Sequence, residues 1–437
     1  MSNKTHTITL LALLLTTVAW AGAAPTFMDK LNDAGLELNG FTEYRYGLRT
    51  QSDPYEDPCT LNELRLQLDG LWYHDLFTLQ LKADFIYNEQ DDNREDVNLQ
   101  TGTGFIDLRQ ANILFSPLSF MDVKLGRQLL TWGTGDLIFI NDMFPKDWQS
   151  FFLGRDTEYL KAPSDALFVS MFPSFVNIDL VYTPRFNADR YITGEYLSYW
   201  NGEDIVGQNS VLKTDRPDEW FVDDEMAARV YKNIAGYEIA LYGYNGFWKV
   251  PGGMNPDTGD WIFPPLTVYG TSARGTLAGG IANIEAGYYD SRDDRDGDDP
   301  FINNSETRVL LGYEREVIAD TTIGVQYYLE HMMDHDKYMD AIRDMGAPTN
   351  TARDEDRHTV TLRLTQLLMS QKLMLSAFFR YSPSDNDAYI RPIVSYKVTD
   401  DWETSLGGNF FVGDDDYTFL AQFEKNNNVY ASVRYSF

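Results

Sequence analysis

Val429-Tyr430-Ala431-Ser432-Val433-Arg434-Tyr435-Ser436-Phe437 ends the chain. In an extended chain successive side chains point to opposite faces. Val429, Ala431, Val433, Tyr435 and Phe437 therefore share one face, and Tyr430, Ser432, Arg434 and Ser436 the other. The same period governs 322–330, where Ile323, Val325, Tyr327 and Leu329 oppose Thr322, Gly324, Gln326, Tyr328 and Glu330. It returns at 77–85, where Phe77, Leu79, Leu81, Ala83 and Phe85 oppose Thr78, Gln80, Lys82 and Asp84.

A soluble sandwich also alternates. What decides is the larger repeat: a run of about ten alternating residues, a short turn, a second run, then a long polar loop. Strands are expected near 36–49, 60–73, 77–87, 104–115, 120–128, 165–172, 175–183, 224–232, 236–246, 267–278, 281–290, 305–316, 321–331, 357–368, 372–382, 388–398, 402–412 and 428–437. This predicts an all-β fold, a transmembrane antiparallel up-and-down β-barrel of about 18 strands over 36–437, with 16 strands as the alternative if one weak hairpin is misread. The stretch 417–424 could make a further strand. It is assigned to the last external loop because single-chain bacterial barrels have an even count with both termini periplasmic.

The other end of the chain agrees. Lys4 is the only charge in 1–21, an apolar run follows over about 8–18, and Ala19-Trp20-Ala21 has the small-x-small form of a cleavage site. Residues 1–21 read as a signal peptide and 22–35 as a short periplasmic N-terminal segment, too short for a plug domain. The apolar run falls below the ~20 residues that span a bilayer, and no later stretch is long enough for a membrane helix. Yet aromatic residues reach 14 %, with 27 Tyr, 26 Phe and 9 Trp, as suits a barrel that needs only alternate residues to be apolar. The expected location is the bacterial outer membrane. The terminal strand resembles the signal of outer-membrane proteins handled by the barrel-assembly machinery. Cys59, the only cysteine, is expected in a loop and leaves no internal disulfide.

Acids outnumber bases 66 to 36, for a net charge of −30. That excludes a nucleic-acid binder, which carries basic patches. The acid lies mainly in the predicted loops at 90–96, 290–299, 334–356 and 413–416, where it keeps loops solvated or joins lipopolysaccharide phosphates through divalent cations. Asp294-Arg295-Asp296-Gly297-Asp298 has calcium-loop spacing without the rest of an EF-hand, so Asp294, Asp296 and Asp298 are weak candidate calcium ligands. No other cofactor is indicated.

On the predicted lumen face acids and bases are about equal in number. Arg363, Arg380 and Arg391 lie on three consecutive strands with few inward acids nearby, and closure brings Arg434 beside Arg45. These five are the candidate pore-lining bases, a strip that would draw small anions. The competing reading is cross-strand ion pairing, with Glu43, Glu330 or Glu403 neutralising the strip.

The third external loop, about 129–164, contains Leu137-Ile138-Phe139-Ile140-Asn141-Asp142-Met143-Phe144-Pro145 and is too apolar to sit in water. It is expected to fold into the lumen as a constriction loop. Trp132, Asp136, Asp142, Lys146, Asp147 and Arg155 are its candidate residues, the charged ones facing the passage. Packing over the barrel mouth or against a neighbouring subunit is the alternative. Leu125-Gly126-Arg127-Gln128, Trp132-Gly133 and Asn141-Asp142 with Pro145 resemble the GRQ-x3-WG region of proteobacterial porin-like outer-membrane channels, including alginate-export-type barrels. Tyr182-Thr183-Pro184-Arg185-Phe186 is similar to another segment of such proteins. The resemblance implies a passive channel of eighteen or so strands. It does not name the solute: small anionic or polar solutes fit the lumen, acidic saccharides among them.

No catalytic residues are assigned. The mature chain has only His74, His331, His335 and His358, and neither a G-x-S-x-G elbow nor an HExxH motif. His331 and His335 could share a metal only if that stretch were helical. The rival to a channel is a surface-binding or adhesion barrel acting through its acidic external loops. The expected partners are outer-membrane lipid and lipopolysaccharide, the assembly machinery and small solutes. A subunit-facing apolar surface reads like a lipid-facing one, so the pattern accommodates an oligomer as well as a single barrel.

Overall fold

The computed structural model describes residues 35–91 and 95–437. The predicted signal peptide and nearly all of the 22–35 segment lie outside the described residues. Eighteen strands form one closed antiparallel sheet. They are β1 Leu36–Arg49, β2 Cys59–His74, β3 Phe77–Asn88, β4 Ile106–Leu118, β5 Met121–Gln128, β6 Ser164–Met171, β7 Asn177–Thr183, β8 Glu225–Ile234, β9 Tyr237–Phe247, β10 Pro265–Leu277, β11 Gly280–Ser291, β12 Glu306–Ile318, β13 Thr321–Met332, β14 Asp356–Leu368, β15 Leu373–Ser382, β16 Asp387–Lys397, β17 Trp402–Gly413 and β18 Asn428–Ser436. Each pairs with the next, and β1 pairs with β18 from Phe41↔Ser436 to Arg49↔Asn428. All the expected strands are present, which removes the 16-strand alternative. The 417–424 stretch makes no strand; Ala421–Asn426 is a 3-10 turn. One local expectation fails. Cys59 opens β2 rather than lying in a loop, because a register shift after Gly47 lets it pair with Leu48.

The burial pattern inverts that of a soluble protein. Outward Leu81, Leu241 and Leu406 are each close to 60 % exposed, whereas inward Glu43, Arg45, Glu63, Arg65 and Asp84 are almost wholly buried. An exposed apolar exterior around a charged interior is the surface of a membrane barrel. The strands join alternately through tight turns and long loops. Ala278 and Gly279, both at positive φ, make a two-residue hairpin loop between β10 and β11, the geometry that matches strand twist. Among the described residues two short α-helices lie outside the sheet, α1 Trp148–Leu153 and α2 His335–Asp344.

Closure runs to the last residue. The Phe437 N–H donates to the Gly40 carbonyl at 2.9 Å, and the Gly40 N–H returns to the Phe437 carbonyl at 3.0 Å. A Cβ on Gly40 would stand 2.9 Å from the Phe437 ring, so the glycine makes room for the ring on the neighbouring strand. Deleting Phe437 removes that seat and one end of the seam. We expect the truncated protein to reach the outer membrane in markedly lower yield, measured by immunoblot of membrane fractions; equal yield would count against a role in assembly.

Candidate functional site

The apolar residues of 129–164 find apolar partners on the strands. Leu130, Ile138, Ile140, Met143 and Phe144 cluster with Val268 of β10, Tyr289 of β11, Leu310 of β12 and Tyr328 of β13. Phe151, Phe152, Leu153 and Leu160 cluster with Leu61 of β2, Phe378 of β15, Tyr389 of β16 and Phe411 of β17. The sheet is a single layer, so its tight core is segment against strand, and dense packing of that kind holds a chain in one arrangement.

Polar groups of the strands satisfy the backbone of the segment. The Glu285 carboxylate of β11 accepts the Thr134 N–H at 2.7 Å, the Thr134 hydroxyl at 2.9 Å and the Asn141 N–H at 2.8 Å. Asn141 itself lies across Gly270 and Gly287, which pair between β10 and β11, and its amide donates to the Ala286 carbonyl at 3.2 Å. A Cβ at position 270 would fall 1.5 Å from the Asn141 side-chain oxygen, so only glycine leaves that notch. Gln326 of β13 clasps the Asp136 backbone from both sides, accepting its N–H at 2.7 Å and donating to its carbonyl at 2.8 Å.

The other half is held by its helix end. Asp147 caps α1 by accepting the Ser150 N–H at 2.7 Å, and Gly154 ends it at φ +97°. The carbonyls left over at a helix C-terminus need donors, and the barrel supplies them. Asn409 of β17 and Asn428 of β18 both donate to the Phe152 carbonyl at 2.9 Å, Arg45 of β1 to that of Gly154 at 2.6 Å, and Arg391 of β16 to that of Arg155 at 2.7 Å. The segment is thus tied to strands on every side of the closed sheet.

The candidate constriction residues divide. Trp132 meets the Phe144 ring edge-on at 4.9 Å between centroids. Asp136, partly exposed, pairs with Arg363. Arg155 pairs with Glu63 at 2.6 Å. Asp142, Lys146 and Asp147 correct the expectation, for all three are buried instead of facing open space. Asp142 and Lys146 pair at 3.1 Å, and Asp147 is spent on its cap and on Arg190 at 3.1 Å. A charge carried inside with an apolar segment must find a partner there. The other charges of the segment are Asp156, Glu158 and Lys161, none of them among the candidates. Burial opposes ionisation of Asp156, but Arg45 and Arg434 hold its carboxyl below the usual range.

The candidate basic strip also divides. Arg45 pairs with Glu43 at 3.0 Å and Asp156 at 2.8 Å, and Arg434 with the same two acids. With Arg363 on Asp136, three of the five are ion-paired. Arg391 and Arg380 make no ion pair with the described residues. Arg391 stands 3.9 Å above the Phe151 ring with Nε and Nη1 unpartnered, and Arg380 lies over the Phe419 ring at 4.9 Å with Nε unpartnered. Glu330 is taken up by Arg308, Arg353 and Arg357.

A second segment, 184–224, supports the first. Asp189 accepts the Lys146 N–H and the Trp148 indole N–H, both at 2.9 Å, and burial pushes its carboxyl up to about 6 although Lys146 opposes this. Arg190 pairs with Asp107 at 2.8 Å. A polar cavity of about 40 Å³ lies between this segment, α1 and β2–β4, lined by Arg65, Asp107, Arg155, Tyr159 and Arg190 among others. The apolar run Tyr196-Leu197-Ser198-Tyr199-Trp200 is the signal that would have found the segment, by the argument applied to 129–164. The calcium candidates are not gathered: among the described residues no three His, Cys, Asp or Glu are placed to hold a metal ion. Asp294 instead accepts the Asp298 N–H of its own turn at 3.1 Å. His331 and His335 do not converge either; His331 pairs with Asp356 at 2.8 Å and His335 meets the Arg353 carbonyl at 3.0 Å.

Removing the Glu285 carboxylate, as in Glu285→Ala, leaves one buried and two half-buried donors without that acceptor. At about 1–3 kcal/mol for each unsatisfied group, several kcal/mol of local stability should go. The expected readouts are a lower temperature of heat modification on gels and faster proteolysis within 129–164. Unchanged behaviour on both would show that Glu285 does not moor the segment.

No protein-family model and no curated protein sequence matches the chain, so the resemblance at 125–145 to alginate-export-type barrels has no match behind it. Solved structures do match. Pseudomonas aeruginosa OccD3 (OpdP) superposes with a TM-score of 0.51 at 10 % identity, covering 92 % of this chain and 91 % of that one. Acinetobacter baumannii OccAB1 gives 0.52 at 9 % identity, with 92 % and 95 % covered. OccAB3 of the same organism gives 0.52 at 9 % identity, with 92 % and 98 % covered. At these identities the likeness is one of fold, and the chain has the architecture of a porin-like barrel.

Proposed function

We propose that the chain is a passive diffusion channel of the bacterial outer membrane, that 129–164 folds into its lumen as the constriction, and that small anionic or polar solutes pass, acidic saccharides being one class. One observation carries the reading. The inner face is polar and charged, the segment 129–164 is bonded to residues of strands all round the sheet, and inward Arg274, Glu314 and Lys397 nearer the short turns are exposed. A wet wall leading to a narrow neck is the anatomy of a selective pore. The proposal includes no catalytic step and no energy coupling, so flow is downhill. Residues 1–21 act in it as the cleaved signal, the assembly machinery reads the terminal strand, and lipid and lipopolysaccharide surround the barrel.

Selectivity rests on what pairing leaves over. At ~0.15 M salt the Debye length is ~8 Å, so the acidic external loops are screened and close-range charges on the wall decide. Ion pairs cancel locally; of the five candidate bases Arg380 and Arg391 remain, set against the inward acids Glu285 and Asp387, which are likewise outside any ion pair among the described residues. The preference for anions is therefore weak.

Two measurements test this in planar bilayers. Deleting 139–148 should raise single-channel conductance severalfold, because it removes Ile140, Asn141 and the first helical residue from the neck; unchanged current would place the segment outside the passage. In a salt gradient the wild-type reversal potential should show modest anion preference, and the Arg380→Ala, Arg391→Ala double variant should move it toward cations. Cation preference in the wild type, or no shift in the variant, would overturn the assignment of these two arginines.

A further inference from the structure

The barrel wall is uneven in height. β5, β6 and β7 have eight, eight and seven residues, whereas β2 has sixteen. At ~3.4 Å per residue and a tilt of about 40°, seven residues rise only about 18 Å along the membrane normal, short of the ~25 Å apolar band of such barrels. Both flanks of this low sector carry exposed apolar loop residues. On one side are Val97, Leu99 and Phe105, the last packed edge-on against outward Phe85 at 5.9 Å. On the other are Trp220, Phe221 and Val222, exposed by 53 %, 70 % and 67 %.

The second group is a built turn. Phe221 has φ +61°, a region disfavoured for an aromatic residue. The turn is locked by the Phe221 N–H on the Pro184 carbonyl at 2.7 Å, the Glu219 N–H on the Asp223 carboxylate at 2.9 Å and the Phe186 N–H on the Asp223 carbonyl at 2.6 Å. Asp224, just after it, accepts the hydroxyl of outward Tyr182 at 2.9 Å, which sets the turn at the outer rim above β7 and β8. Between the two groups lies an outward charge pair, Arg127 with Asp165 at 3.0 Å; its arginine donates to the Leu99 carbonyl and is buried beneath the loop between β3 and β4, while Asp165 stays partly exposed. Shielding a charge on the outward face is called for where that face meets hydrocarbon.

We infer that Val97, Leu99, Phe105 and the Trp220-Phe221-Val222 turn form an apolar collar that inserts into the outer leaflet and restores the apolar height missing over β5–β7. The occupant is the acyl-chain region of a lipid surface. Below the turn Tyr182 pairs with Met226 across β7 and β8, and Val230 with Leu241 across β8 and β9, and a wall too short for the bilayer must be extended or must thin it.

The test is spin-label accessibility in vesicles of phosphatidylethanolamine and phosphatidylglycerol, with a nitroxide on Phe221→Cys and, separately, on Val222→Cys, each in a Cys59→Ser background. Labels on Leu241→Cys, facing lipid, and Asp257→Cys, in an exposed loop, calibrate depth. The ratio of oxygen to nickel-chelate collisions at 221 and 222 should approach that at 241 and exceed that at 257 severalfold. A ratio like that at 257 would overturn the inference by placing the turn in water. Suppression of both collisions with dipolar broadening between copies would overturn it in favour of a subunit interface.

Discussion

In a hydrocarbon layer no water is present to pair with a backbone amide, so every N–H and C=O of the sheet must find another strand. The seam between β1 and β18 satisfies this at the one place where chain order offers no neighbour. It joins residues nearly four hundred positions apart and leaves the sheet without an edge. Exposed leucines outside and buried arginines inside follow from that closure, because a closed sheet has one surface in lipid and one enclosed.

An enclosed surface poses its own problem, since charges there lie among apolar segments and must be compensated. The barrel meets it by pairing. Glu43 serves both Arg45 and Arg434, Glu63 serves Arg65 and Arg155, and Glu330 serves three arginines. Exposed ion pairs contribute little to stability. Buried ones matter here because they hold a segment in place: Arg45 grips both a carboxylate and a helix-end carbonyl, and Glu285 accepts from two separate points of the same loop. The Asn141 notch shows the same economy in backbone, with two facing glycines giving up side chains so that one amide can reach a strand carbonyl. The net charge the inner wall presents is therefore that of the few groups pairing leaves over, not of every ionisable residue on it.

The strands were legible because their signal is local. Thr322 to Glu330 alternates whatever lies beside it, and a one-residue slip would turn every apolar side chain inward. The apolar excess in 137–145 was legible too, since such a run cannot stay in water. The roles of its charges were not. Asp142 and Lys146 lie four residues apart and could as well have faced outward; that they pair depends on which side of the segment meets the wall. Arg190 and Asp107, or Arg363 and Asp136, are far apart in the chain, and no periodicity relates them. Cys59 was misplaced for a smaller reason, a register shift beside Gly47 that sequence does not mark.

Sequence by itself determined the barrel architecture, the order of turns and long loops, which face of each strand is apolar, and that 129–164 must be buried somewhere; it left the strand number between 16 and 18. These follow from side-chain period and transfer free energy, which act over a few residues. Only the tertiary structure decided that Arg45, Arg363 and Arg434 are paired while Arg380 and Arg391 are not, that 184–224 underpins the first segment, and that the wall is low at β5–β7. Electrostatic partnership and packing depend on distances across the closed barrel, and closure sets those distances only after all eighteen strands are in register.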